Sequence, residues 1–272
     1  MINKELLNFS ILNIDKPQGP TSFTISDFIR KSLNLSKTSH FGTLDPQVTG
    51  VLPIALGRAC RLNEYFMHKN KTYVGIMRMH KEVNEKQLKE TIKDFIGIIN
   101  QLPPVRSSVK RAVRQREIFS FNILEIEGKD ILFETEVQAG TYIRKLCDDI
   151  GDKIGGAHML ELRRTKAGIF TEEDKNFINL YQFEEALKDE NKLKDILIPA
   201  EEALKLVLPY KQISPNPQQL KNLLTGKPIH KIDFLSLPKE EKFALFHKEQ
   251  LIGVYRRVDE GDILARPEFI YN

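Results

Sequence analysis

The sequence predicts an α+β protein, with a mixed, mainly antiparallel sheet flanked by helices and a small β-rich domain at the C-terminal end. Three observations predict it. Strand-like and helix-like stretches alternate without a regular βαβ beat, which argues against a parallel sheet. Residues 117–137 read as a hairpin, with alternating apolar residues on both sides of Glu127-Gly128-Lys129-Asp130. Past Pro209 the texture changes, because Pro215, Pro217, Gly226, Pro228 and Pro238 break up short apolar runs. A boundary near 208 therefore divides the chain into 1–208 and 209–272.

The elements follow in order. Residues 11–14 form a short apolar strand, and Pro17, Gly19 and Pro20 a turn. Ser22 suits the N-cap of a helix whose inner face is Ile25, Phe28, Ile29 and Leu33. Residues 40–57 are punctuated by Gly42, Pro46, Gly50, Pro53 and Gly57, which predicts loop and short strand. A helical stretch carries Leu62, Tyr65 and Phe66, and residues 71–79 read as a strand. Asn84 and Gln87 resemble a capping box for a helix with Leu88, Ile92, Phe95 and Ile96 inward and Gly97 as its stop. Within the hairpin Phe119, Phe121 and Ile123 alternate on one side, and Ile131, Phe133, Thr135 and Val137 on the other. A helix with Ile143, Leu146, Cys147 and Ile150 on one face ends at Gly155-Gly156. After a polar connection at 168–175, helical patterns recur at 183–187 and 200–206, and paired strands at 243–246 and 251–255.

Composition excludes several classes. The chain has 272 residues, 41% hydrophobic and 29% charged, which suits a folded core. No apolar run approaches membrane-spanning length, and no signal-peptide pattern opens the sequence. Cys60 and Cys147 lie far apart without metal-ligand spacing, as expected of free thiols in a reducing cytoplasm. The net charge of +4 says little, but its distribution says more. Arg106, Lys110, Arg111, Arg114 and Arg116 follow one another with no acid among them, and Arg163, Arg164 and Lys166 form a second cluster. Either is a phosphate-binding patch or a solvated face.

The stretch H-F-G-T-L-D-P-Q-V-T-G-V-L-P-I-A-L-G at 40–57 carries the chemistry. It is apolar enough to lie against a core, yet it holds a carboxylate, Asp45, and an imidazole, His40. That suits a preorganised, near-buried site; the competing reading is an Asp-Pro turn in which Asp45 caps backbone amides. Arg144 sits in the first turn of its predicted helix, one step off the apolar face, where a cation opposes the helix dipole. A carboxylate such as Asp45 would offset that, through a charge-assisted pair. Tyr73 suits stacking on a base, or an ordinary β-core position; Lys16 suits a phosphate, a loop contact or the surface. No Walker loop, dinucleotide glycine fingerprint, zinc spacing or G-x-S-x-G elbow is present.

These stretches combine into a family pattern. L-N-I-D-K-P-Q-G-P-T-S, the 40–57 loop, K-T-Y-V, Q-L-P-P-V-R-S-S-V-K-R, A-G-T-Y-I-R-K-L and G-A-H-M-L-E-L-R-R-T-K-A-G-I-F, in this order, resemble the TruB family of RNA pseudouridine synthases. The basic and L-E-L-R-R-T segments look like its archaeal and eukaryotic dyskerin branch. The resemblance implies that Asp45 is the catalytic aspartate, that Arg144 pairs with it, and that Tyr73 stacks on the target base. It implies that Leu162 lines the uracil pocket, that Lys16 is the lysine of the D-K-P motif and that His40 meets the target nucleotide. Arg106, Lys110, Arg111 and Arg163 are expected at RNA phosphates.

The implied reaction breaks N1–C1′ of uridine, turns the uracil and joins C5 to C1′. It conserves redox state, so no cofactor or metal is expected, but water must be kept out. The base must be flipped out of its stack. The short approach to Ile11 and the short tail suggest a stand-alone enzyme acting on the T-loop uridine of tRNA, with a PUA-like RNA-binding domain at 209–272. The alternative is a subunit of a box H/ACA guide-RNA particle acting on rRNA, with small partner proteins of the Nop and Gar type. A non-catalytic RNA-binding scaffold is weaker, since a scaffold has no use for Asp45, Tyr73 and Arg144 together. A glycoside hydrolase is weaker still, since no second carboxylate accompanies Asp45.

Overall fold

The computed structural model describes residues 4–82, 84–103, 111–234 and 237–272. Arg106 and Lys110 lie outside the described residues. In chain order the first half forms α1 (Lys4–Asn8), β1 (Ser10–Lys16), α2 (Ser22–Ser32), β2 (Thr38–His40), β3 (Thr49–Leu56), α3 (Asn63–Met67), β4 (Lys71–Met79), α4 (Glu85–Lys93) and β5 (Gly97–Gln101). The hairpin β6 (Arg114–Glu127) and β7 (Asp130–Val137) leads to α5 (Ile143–Ile154), β8 (Ala157–Ala167), β9 (Phe170–Thr171) and β10 (Phe177–Asn179). Then come α6 (Leu180–Ala186), α7 (Glu190–Ile196), β11 (Ile198–Pro199), α8 (Ala200–Lys205), β12 (Tyr210–Gln212), α9 (Pro217–Leu224), β13 (Ile229–His230), β14 (Lys242–His247), β15 (Gln250–Glu260) and β16 (Ile263–Ile270).

The main sheet runs β10-β1-β3-β8-β4-β7-β6-β5, with β2, β9 and β11 pairing off this path. Its pairings are antiparallel except β1 with β10 and β3 with β8. The second sheet runs β12-β14-β15-β16-β13. This is the expected α+β architecture. One core cluster packs the inner residues of β4, β6 and β7 (Met77, Ile118, Phe133) against Leu88 of α4, Leu146 and Ile150 of α5 and Ile25 and Ile29 of α2. A second joins Phe9, Phe41, Val51 and Phe66 to Ala244, Phe246, Val254 and Phe269 of the second sheet, so the two sheets share buried apolar surface.

Several expectations are corrected. Residues 49–56 are a buried eight-residue strand rather than loop with short strand. Pro53 is tolerated there because it falls between Ile54, where β2 pairing ends, and Gly50, where β8 pairing lies, so its missing N–H breaks no ladder bond. The N-cap of α2 is Thr21, whose side chain accepts from the Thr24 amide, and Ser22 turns inward instead. Helix α4 stops at Lys93, Ile96 is 42% exposed, and Gly97 opens β5 at φ +93° rather than ending a longer helix. Bulges on β6 put Ile118 in the core and leave Phe119 39% exposed. β8, at the centre of the main sheet, lies in a stretch with no clean strand alternation.

Candidate active site

Strand order brings the candidate residues together. β8 lies between β3 and β4, and register sets Arg164 opposite Gly50 of β3 and Tyr73 of β4. Leu162 pairs with Gly75, and its Cδ1 occupies the space a Gly75 side chain would need. Tyr73 and Leu162 are both buried. The loop ahead of β3 carries Asp45, and the first turn of α5 carries Arg144. Arg144 Nη2 donates to Asp45 Oδ2 at 2.8 Å. The carboxylate offsets the cation at the N-terminal end of α5, as the dipole argument requires.

The Asp45 loop is held by polar groups on both sides. Ser22 Oγ donates to the Leu44 carbonyl and accepts from the Leu44 amide. Lys16 is fully buried, and its ammonium donates to the carbonyls of Pro17, Pro46 and Val48. Burial lowers its pKa; the Asp45 charge opposes that and the Arg164 charge adds to it. Lys16, expected at the substrate, thus clamps the loop that carries Asp45, with its ammonium engaged by three backbone carbonyls.

The second basic cluster is likewise not a surface patch. Arg163 is bidentate on Asp15 (3.0 and 3.2 Å) and bonded to Glu172 at 2.8 Å, so its charge is matched internally. Arg164 is buried, and only Lys166 is exposed. Arg111 is exposed. His40, half-buried at the end of β2, is held below the usual imidazole pKa by burial and then by the Arg164 charge, so it is neutral at pH 7. Its Nδ1 is buried without a hydrogen-bond partner, and the ring lines a cavity of about 340 Å³ with Thr38, Ser39 and Arg30.

Enclosure is the main departure from expectation. The Asp45 side chain is 56% exposed and Arg144 48%. The pair is therefore open to solvent, and water exclusion would have to come from whatever covers it. An exposed pair of this kind contributes about 0–1 kcal/mol, so its value lies in orientation. Sequence reasoning missed Ser22, Lys71 and the buried position of Arg164. A hydroxyl beside an N-cap, the first residue of K-T-Y and one of two adjacent arginines give no periodic signal that separates inward from outward.

Comparison with known proteins identifies the family. Residues 30–143 match the family model of the TruB family pseudouridylate synthase N-terminal domain, and 144–205 that of the tRNA pseudouridylate synthase B C-terminal domain. A probable tRNA pseudouridine synthase B from Methanothermobacter thermautotrophicus is 44% identical over 205 residues, 73% of this chain and 63% of that protein. Its namesake from Sulfurisphaera tokodaii is 49% identical over 205 residues, 73% of this chain and 60% of that one. The chain thus spans about three fifths of the length of the curated relatives it matches. A chain in the crystal structure of a Cbf5-Nop10-Gar1 complex superposes with a TM-score of 0.86 at 34% identity, covering 98% of this chain and 86% of that one. One from an H/ACA RNP bound to a substrate RNA containing 2′-deoxyuridine gives 0.83 at 31% identity, covering 99% and 87%. The motifs, the fold and these likenesses converge, and the chain belongs to the TruB family of pseudouridine synthases.

Proposed function

We propose that the chain isomerises uridine to pseudouridine in RNA, with the T-loop uridine of tRNA as its substrate. The observation that carries the reading is the Asp45–Arg144 pair at 2.8 Å on a clamped loop leading into β3, which β8 joins to the strand of Tyr73. Asp45 is the catalytic carboxylate, and Arg144 fixes the oxygen that does not react. The N1–C1′ bond breaks, the uracil turns, C5 bonds to C1′, and the C5 proton is lost while N1 gains one. Asp45 either attacks C1′ or takes the C2′ proton; both routes need one oriented oxygen. Tyr73 supports the flipped base and Leu162 lines its pocket. His40 meets the target nucleotide, where its neutral ring adds no charge to be desolvated. Arg111, with Arg106 and Lys110, holds phosphates. The bound RNA closes over the open pair, and expelling water there strengthens the ion pair.

Residues 209–272 act in this reading as a PUA-like RNA-binding unit behind a catalytic unit at 1–208, and the protein works in the cytoplasm. Among the described residues no helix is long and apolar enough to cross a membrane. The likeness to Cbf5 complexes supports a second reading, catalysis in an H/ACA guide particle with proteins of the Nop10 and Gar1 kind. Purified chain and an unmodified tRNA transcript carrying tritium at uridine C5 test the choice. Tritium release at the T-loop position is expected from the chain alone. Release that appears only with guide RNA and partner proteins would reverse the order.

A further inference from the structure

Arg164 is the largest fully buried side chain among the described residues, at 1% exposure, and no carboxylate there bonds to it. Its Nε donates to the Val51 carbonyl at 2.8 Å and its Nη2 to the Gly42 carbonyl at 3.1 Å. Tyr73 is the direct cross-strand partner of Arg164 on β4, and its side chain interacts with the same guanidinium. Gly42 and Val51 flank the loop that carries Asp45 on its two sides. One planar cation thus bonds to both ends of the Asp45 loop from the position opposite Tyr73 on the neighbouring strand.

A merely structural role explains this poorly. Burying a cation without an anion is costly, and apolar replacement of buried charge is often neutral or stabilising. The setting adds to the cost, because a second buried basic side chain, Lys71, lies beside it. A side chain at Gly42 would lie 3.5 Å from Arg164 Nη1 and 3.6 Å from Lys71 Cε. Burial and the Arg164 charge push the Lys71 pKa down to about 7. A lysine at 164 would not reproduce the fork, since the Val51 and Gly42 carbonyls are met by two different nitrogens of one planar group.

We propose that Arg164 is a positioning residue that couples the Tyr73 ring to the Asp45 loop, so that the base support and the catalytic carboxylate keep one relative placement. The inference rests on the pseudouridine synthase reading. A displacement of about 1 Å between reacting groups costs on the order of 100-fold in rate, and such a loss falls on kcat rather than KM.

The test compares the parent, Arg164→Lys, Tyr73→Phe and the double variant in tritium release from C5-labelled tRNA, at limiting and saturating RNA. Arg164→Lys is expected to fold, to lose about 100-fold in kcat and to change KM less than about twofold. Tyr73→Phe is expected to lose part of the same rate. The double variant should be no slower than Arg164→Lys, because both changes cut one link. Parental kcat in Arg164→Lys, a loss confined to KM, or additive losses would overturn the proposal. If Arg164→Lys fails to fold, Tyr73→Phe decides, since it keeps the guanidinium and both loop contacts: a kcat-only fall supports the link and an unchanged kcat overturns it. A parent that releases no tritium from any RNA would overturn the functional reading itself, a result distinct from all of these.

Discussion

Asp45 is held by neighbours rather than by burial. Lys16 clamps the carbonyls of Pro46 and Val48 just after it, Ser22 fixes Leu44 just before it, and Arg144 takes one of its oxygens. Lys16→Met strips three carbonyls of their donor, that of Val48 being buried, so a loss of about 2 kcal/mol is expected in urea unfolding, with activity falling alongside. Arg144→Ala frees Asp45 without touching the core, so kcat should collapse in the tritium assay while the melting temperature moves little.

Lys71 gives the pH prediction at this scale. Its folded pKa of about 7 lies below the unfolded 10.5, so the unfolded chain binds the extra proton between those values. Stability contributed here therefore rises with pH from about 7 to about 10.5 and is lost as pH falls through that window. The neutral amine still has two N–H groups for the Met67 and Lys69 carbonyls. Unfolding free energies at pH 7.5 and 9.5 should differ by about 1–2 kcal/mol more in the parent than in Lys71→Met. An equal difference in both would contradict the assignment.

At the scale of elements, the central strands must approach closely. Gly50 has φ +100°, and a side chain there would meet the Arg164 carbonyl oxygen at 2.2 Å. Gly50→Ala should therefore cost more than about 3 kcal/mol in thermal denaturation. Gly128→Ala, at φ +56° in an open turn, should cost only about 1 kcal/mol. The elements legible in the sequence were those with clean periodicity or punctuation: β4, bounded at Lys71 and Met79; the turn at Gly128 and Lys129; and α5, stopped at Gly155. The illegible ones were coded by tertiary context. β8 carries L-E-L-R-R-T-K, where bulges facing β4 scramble the alternation and a buried arginine reads as surface. β3 carries a proline that only its neighbours' spacing makes harmless. The pairing of Asp45 with Arg144 was legible, because a Gly/Pro-shaped loop and a cation at a helix start are local signals. What holds the site, Lys16, Ser22 and Arg164, was not, since nothing local marks a polar residue as inward.

At the scale of the molecule, the second sheet is part of the core. Phe246, Val254 and Phe269 join the cluster of Phe9, Val51 and Phe66, and Tyr65 Oη donates to Glu268 across the same junction. A chain ending at 208 would bare that surface, so it is expected to melt lower than the full chain and to aggregate, as scattering during a thermal ramp would report. The open Asp45–Arg144 pair belongs to this scale too, because in the proposed function the bound RNA covers it. The most direct measurement is tritium release from C5-labelled tRNA by the parent and by Asp45→Asn, with RNA affinity measured for both. Loss of release with affinity largely kept is the predicted result, since in the proposed function many phosphate contacts hold the RNA and one carboxylate transforms it. Release by Asp45→Asn at the parental rate would contradict the account.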